Sequence, residues 1–348
     1  MNSLLSSLED AAKNEGFIAV GAVNIEDALA TVQFNNDLEF FKEWLKQGHQ
    51  GEMQYLERNI SKRADPRNIF SKAECVFCVV FPYAPAHSEQ VLDGRFLGQP
   101  LFASYLYSSD YHNDVKQRLD RALKAVKASS CDSLEWQVCV DTKPILEKTW
   151  HSLAGTGYIG KNGLLITEKH GSYVILGEAL INQKVSQKPI SKIGGCGSCS
   201  LCVKHCPARV LADERQFIAR RCTSYLTLET KAAAEGCYDK TGAWIAGCDV
   251  CQLVCPKNSN IEKNEKQRKS SWLELLQERE KDYQERASGS ALGRIDYVRH
   301  SRNLAHAVLN KVDLLKSKDI SAAVRLRRDC ETDPNNRELW NNCLKELE

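Results

Sequence analysis

Cys196-Gly-Ser-Cys199-Ser-Leu-Cys202-Val-Lys-His-Cys206-Pro207 is the stretch on which the fold of this chain turns. Its C-x2-C-x2-C-x3-C-P spacing wraps three thiolates around one 4Fe-4S cubane and sends the fourth to a neighbouring cluster. Zinc, the other metal that cysteine runs hold, favours two separated pairs over three thiolates packed this closely. A second run begins late. Ile245 stands where its first cysteine would be, and Cys248, Cys251, Cys255 and Pro256 follow. The missing ligand has to come from elsewhere; Cys222 is the natural source and Cys237 the other. Exchange of the fourth ligands then gives one cluster on Cys196, Cys199, Cys202 and Cys255, and another on Cys206, Cys222, Cys248 and Cys251, a bacterial-ferredoxin-like arrangement.

Clusters of this kind carry electrons and make no bonds by themselves, so the chemistry has to lie in the N-terminal half. Residues 1–190 alternate helical and strand-like patterns, which predicts an α+β fold with an α/β catalytic domain. Strands are expected at 17–23, 75–81, 138–140 and 173–176. Amphipathic helices are expected around Leu38, Phe41 and Leu45, and from Val115 through Leu119, Leu123 and Val126. Cys75 and Cys78 form a C-x-x-C, but on a strand they point to opposite faces, as core residues. Pro189 and Gly194-Gly195 mark a boundary, giving a two-cluster domain at 191–261. Residues 262–348 read as packed helices with Leu304, Val308, Val324 and Leu344 on their apolar faces, like about two units of an α-solenoid.

Lys and Arg number 47 against 45 Asp and Glu, a net charge of +2, so no global field announces nucleic acid or an anionic membrane as partner. Leu4, Leu5 and Leu8 at helical spacing, interrupted by Glu9 and Asp10, predict a folded first helix and not a signal peptide. No run approaches the roughly 20 apolar residues that span a bilayer, so the expected location is the cytoplasm, without membrane association. Fifteen cysteines there mean metal or redox chemistry.

Gly155, Gly157 and Gly160 spell G-x-G-x-x-G, yet a dinucleotide fingerprint needs a strand before it and a helix after it. Here a helix, expected from Pro144 through Ala154, comes first. The glycines then either stop that helix in a tight turn or form a loop approached closely by its own backbone or by a large ligand. Asp141 either caps the helix or serves as a general acid, and spacing alone favours the cap. Asp110, Tyr111 and His112 precede the next helix as capping or pocket residues. Asp110-x-His112 lacks the later glycine of a D-x-H-x-x-G cobalamin motif, so no histidine is nominated as a lower cobalt ligand.

Taken together, Lys62-Arg63-Ala64-Asp65-Pro66-Arg67, Asp110-Tyr111-His112, Val140-Asp141-Thr142, the Gly155 to Thr167 loop, Gly171-Ser172-Tyr173, both cysteine runs and Arg221-Cys222-Thr223-Ser224-Tyr225 resemble the epoxyqueuosine reductases over almost the whole chain. The resemblance implies a nitroreductase-like, reductive-dehalogenase-like domain holding cobalamin without a protein ligand beneath cobalt, followed by the two clusters and HEAT-like helices. It makes Asp141 the proton donor and a cofactor neighbour. It makes Arg63, Ala103, Leu165, Leu176, Ser224 and Gln252 cobalamin contacts, with Tyr111 and His112 lining the substrate pocket. The implied reaction is reduction of the epoxide of epoxyqueuosine at the wobble position of tRNA. Electrons would come singly through the clusters from a small donor such as a ferredoxin or flavodoxin, and the chain would act as a monomer.

Lys231, Arg299 and Arg302 are the expected tRNA contacts, Arg299 and Arg302 sharing a helical face with His306, and Arg325, Arg327 and Arg328 clustering nearby. Solvated charge is the competing account, since residues 262–348 carry 18 basic and 16 acidic side chains. Two other functions compete with the reductase: a corrinoid dehalogenase, for which an export signal is expected, and an electron carrier, which has no use for the N-terminal half.

Overall fold

The structure, a computed structural model, describes residues 3–87, 98–186, 194–212, 216–231, 238–264 and 269–348. Pro189 and Cys237 lie outside the described residues. Eight strands are present among them: β1 (Ala19–Asn24), β2 (Cys75–Pro82), β3 (Leu101–Phe102), β4 (Trp136–Cys139), β5 (Tyr158–Ile159), β6 (Leu165–Ile166), β7 (Val174–Ile181) and β8 (Trp244–Ala246). β1, β2, β7 and β4 form an antiparallel sheet in that order.

Both faces of this sheet are covered, which is why β2 is an unbroken apolar run instead of an alternating one. The Leu4–Asn14 and Tyr111–Ser129 helices pack Leu8, Leu119 and Leu123 against Cys75, Phe77 and Val79. Phe34, Leu38, Trp150 and Leu153 pack against Val76 and Cys78 on the other face. Cys75 and Cys78 are therefore core residues on opposite sides, as the period of two requires.

The helix expected from Val115 begins earlier, at Tyr111, because Asp110 caps it by accepting the His112 N–H at 3.0 Å. The helix expected from Pro144 begins later, spanning Glu147–Leu153. Pro144 stands before it, and Asp141 is not its cap.

β3, from the N-terminal half, pairs in parallel with β8, just ahead of the second cysteine run. Ile245 lies fully buried on β8, so the position where a first cysteine would stand serves strand pairing and apolar packing instead. The C-terminal helices, among them Tyr297–Leu309, Lys318–Cys330 and Pro334–Leu347, share one apolar core with β3 and β8, running from Phe102 through Ile245 to Leu304, Val324 and Trp340. Composition changes near residue 261, but the core runs straight across.

Candidate active site

Three hollows adjoin between the sheet, the glycine-rich loop and the cysteine segment, and Leu164 borders all of them. The first, about 420 Å³, is walled by Phe41, Trp44, Leu56 and Ile145, with Arg63 and Asn162 among its polar groups. The second, about 300 Å³, holds Asp141, Tyr111, Tyr105, Leu165, Leu176 and Arg294. The third, about 270 Å³, is bordered by Ala103, Ser224 and Gln252 and by the thiols of Cys206, Cys222, Cys248 and Cys251. All seven positions expected to touch cobalamin thus line one connected set of cavities.

The glycine-rich loop forms the junction. Gly155 and Gly163 have φ of +78° and +75°, so the first ends the Glu147–Leu153 helix and the second turns the chain into β6. A Cβ on Gly157 would fall 2.7 Å from the Ile166 carbonyl oxygen. The loop both stops the helix and is approached closely by its own backbone, and its Asn162 borders the first and third cavities.

Asp141 extends its carboxylate into the second cavity. Its Oδ2 accepts from the Tyr111 hydroxyl at 2.9 Å, stands 3.1 Å from His112 Nε2, and lies 3.6 Å from Arg294 Nη1. Burial is the largest influence on this acid and pushes its pKa up, but His112, Arg294 and Tyr111 together outweigh it and hold Asp141 below the usual carboxylate value. His112 is perturbed the opposite way. Its bond to Asp141 raises its pKa more than burial lowers it, and Asp110, accepting at Nδ1 at 2.8 Å, adds to the rise. Both shifts favour a proton on the His112 imidazole over one on the Asp141 carboxylate.

Arg294 escaped the sequence reading. It comes from the C-terminal third, and its other guanidinium nitrogen donates to Glu229 at 3.0 Å. Glu147 and Lys148, between the first and second cavities, also escaped it. No local pattern marks any of the three.

The eight thiols fall into two neighbourhoods. Burial is the largest cause of the upward shifts at Cys202, Cys222, Cys248, Cys251 and Cys255; beyond it Cys202 is perturbed by Cys196, Cys255 and Cys199, and Cys255 by Cys196 and Cys199. Cys248 is perturbed by Cys222 and Cys251, and Cys222 by Cys206. Among the described residues no three His, Cys, Asp or Glu side chains converge on a point that holds a single ion. Cys248 and Cys251, on the cavity side, are half-buried, and desolvation pushes their thiols well above the usual value.

Arg302 corrects an expectation. It is 5% exposed, and its guanidinium donates to the carbonyls of Thr230, Lys231 and Leu226. Arg299 donates to the carbonyls of Leu228 and Arg294, and His306 stacks on Tyr238. This helical face is packed against the cysteine segment and is not turned to a phosphate. Arg327 is likewise buried, donating to the carbonyls of Leu275 and Glu278. Lys231 remains exposed.

A two-cluster iron–sulfur segment opening onto a large cavity with an acid across it defines a reductase with its own electron supply. The family model described as "4Fe-4S double cluster binding domain" matches residues 195–258, and that described as "Epoxyqueuosine reductase QueG, DUF1730" matches residues 63–142. An epoxyqueuosine reductase of Cyclobacterium marinum is 32% identical over 277 residues, covering 77% of this chain and 86% of that one. One of Pseudomonas aeruginosa is 30% identical over 311 residues, covering 87% and 84%. The chain belongs to the epoxyqueuosine reductase family, oxidoreductases that modify tRNA.

Solved structures share the fold. The epoxyqueuosine reductase of Streptococcus thermophilus superposes with a TM-score of 0.82 at 23% identity, over 98% of this chain and 90% of that one. An epoxyqueuosine reductase bound to an epoxyqueuosine-modified tRNA-Tyr stem loop gives 0.72 at 22%, over 98% of each chain. The Bacillus subtilis enzyme, solved with its aspartate catalytic loop swung out of the active site, gives 0.73 at 20%, over 99% and 98%. Among the described residues no helix is long and apolar enough to cross a membrane.

Proposed function

We propose that this reductase holds cobalamin in the three adjoining cavities, with Arg63, Ala103, Leu165, Leu176, Ser224 and Gln252 as its contacts and no protein ligand beneath cobalt. The single observation that carries this reading is the convergence of all these positions, scattered from residue 63 to residue 252, between the cysteine thiols and Asp141. The donor set fits a large, amide-rich ligand. Arg63 Nε is buried without a hydrogen-bond partner while its Nη1 donates to the Ile145 carbonyl at 3.2 Å, leaving a directed donor at the edge of an apolar wall. When bound, cobalamin supplies the low-valent cobalt that acts on the epoxide.

Removing an epoxide oxygen as water takes two electrons and two protons. Asp141 is the proposed group at the departing oxygen, with the proton held on His112 as its first supply and the second proton taken up from solvent. The His112–Asp141 hydrogen bond lets that proton move to the carboxylate as substrate shields the pair from water. Tyr111 orients the carboxylate. The proposed cluster ligands are Cys196, Cys199, Cys202 and Cys255 for the outer centre, and Cys206, Cys222, Cys248 and Cys251 for the one beside the cavity. A small ferredoxin or flavodoxin would load the outer centre. The substrate is tRNA carrying epoxyqueuosine, with the exposed Lys231 as a phosphate contact and the C-terminal helices as a HEAT-like flank.

Anaerobic reconstitution with cobalamin, followed by mass analysis of nucleosides from epoxyqueuosine-containing tRNA, tests the whole reading. Asp141→Asn is expected to keep iron and cobalamin while losing conversion to queuosine. Full conversion by that variant refutes the role given to Asp141.

A further inference from the structure

We propose that Glu147 is a latch that holds the Asp141 turn in its working position, a positioning residue that acts through the backbone. This rests on Asp141 being the acid, but its own evidence is separate.

Asp141 has a φ of +54°, one of three non-glycine positive values among the described residues. Thr142 N–H donates back to the Val140 carbonyl at 2.6 Å, so Asp141 sits at the apex of a three-residue turn. With positive φ at its centre, such a turn is the rare and strained form of the γ-turn. Left to itself, the segment would relax toward ordinary backbone angles and carry the carboxylate away from Tyr111 and His112.

A single side-chain bond to the backbone opposes that relaxation. Asp141 N–H donates to Glu147 Oε1 at 3.0 Å. Glu147 is the first residue of the Glu147–Leu153 helix, whose Trp150 and Leu153 are locked in the core, so the acceptor is fixed to a rigid element. The latch and the acid use different atoms of Asp141: the amide is held from behind while the carboxylate faces the cavity.

The neighbours of Glu147 suit the role. Burial is the main cause that pushes its pKa well above the ordinary carboxyl value, and the negative charges of Glu178 and Asp141 add to the rise. A neutral Glu147 accepts the amide hydrogen without repelling the Asp141 carboxylate, which an ionised one would do. Lys148, beside it, is exposed, and its charge tempers the rise. Glu178, behind it on β7, is itself fully buried, which pushes its own pKa well above the ordinary carboxyl value, with His151 Nε2 3.1 Å away.

Glu147→Met keeps the bulk and removes the acceptor, whereas Glu147→Gln keeps an acceptor oxygen at the same reach. The readout is amide hydrogen exchange of the turn in the full chain, beside kcat and KM on epoxyqueuosine-containing tRNA. The Met variant is expected to exchange the Asp141 amide about five- to tenfold faster, the factor one net hydrogen bond represents. Its kcat is expected to fall by a similar factor with KM little changed, and Gln to restore both. A Met variant with wild-type protection or kcat, or a Gln variant as impaired as Met, overturns the proposal. Should the Met variant fail to fold, the unaltered chain still decides: an unprotected Asp141 amide also overturns it. A fully active Asp141→Asn would refute the acid role while leaving the exchange result, which concerns the latch alone, to stand or fall by itself.

Discussion

Replacing Arg302 by Met separates a packing role from a tRNA role. The guanidinium reaches Thr230 and Lys231 oxygens at 3.1 Å and Leu226 O at 3.2 Å, pairs with Asn303 Oδ1 at 3.0 Å, and lies 5.3 Å from the centre of the Tyr238 ring. Leu226 belongs to the last turn of the Thr223–Leu228 helix, whose terminal carbonyls have no partner within the helix. Each buried carbonyl left unpaired costs about 1–3 kcal/mol. Against this stands the unfavourable burial of the cation itself, which lowers the Arg302 pKa. Leu226 O keeps the Tyr238 hydroxyl at 3.1 Å, so the Thr230 and Lys231 carbonyls are the ones left unpaired, and, offset in this way, they leave a net destabilisation of about 1–3 kcal/mol. At roughly 2–4 °C per kcal/mol, the melting temperature should drop by about 2–10 °C. Anaerobic thermal unfolding measures this, alongside tRNA affinity across a salt series. A phosphate contact would instead leave the melting temperature unchanged and reduce the slope of log K against log salt by about 0.9. That second pattern would refute the packing argument.

Two further outcomes follow from the site. The His112 pKa is raised above its ordinary 6.5 by Asp141 first and Asp110 after it, so the proton it holds is present below that value and lost as pH rises through the higher one. Turnover should therefore fall on an alkaline limb placed above pH 6.5, and His112→Gln should abolish that limb and lower kcat by about 10²-fold; an unchanged limb in the variant assigns it to another group. Cys222→Ser should remove about half of the cluster iron, as four of eight thiolates share its centre. Iron content equal to the unaltered protein would transfer the ligand role to Cys237.

What the sequence disclosed and what it withheld divide by range. Ligand spacing around a cubane is a local property of the chain, so Cys196 to Cys206 could be read directly. β2 was legible because eight consecutive residues suited to a doubly covered strand have few alternatives. Asp141 was harder. Spacing favoured a cap, and only the fold reveals that the helix starts six residues later and that Tyr111 and His112, on another element, face the carboxylate. Arg299 and Arg302 share a helical face, as their spacing indicates, but spacing does not say which face is wet. In the Tyr297–Leu309 helix, His300, Ser301, Arg302, Asn303, Leu304 and Ala305 are all buried, so the amphipathic reading had no exposed side to assign.

The junction of β3 and β8 explains why the electron supply and the acid cannot be separated by cutting the chain near residue 191 or residue 261. Ala103 follows β3, Gly247 follows β8, and the Ala103 N–H donates to the Ala246 carbonyl at 2.8 Å. Gly247 has a φ of +70°, and a Cβ there would fall 2.4 Å from the Ala103 Cβ. Glycine is thus required twice over, by backbone angle and by contact, and the residue opposite it has to be small. Cys248 follows at once, so the approach of the two strands fixes where the cavity-side thiols stand relative to the cavity wall. On the far side, Arg294 joins Asp141 to Glu229, tying the C-terminal helices to both other segments. Excising residues 195–258 would strip β8 of its partner strand and bare Trp244, Ile245 and Ala246, which lie in the core shared with Phe102 and Leu304. The geometry of the site is a property of the whole core, and the two-cluster segment holds its place only inside it.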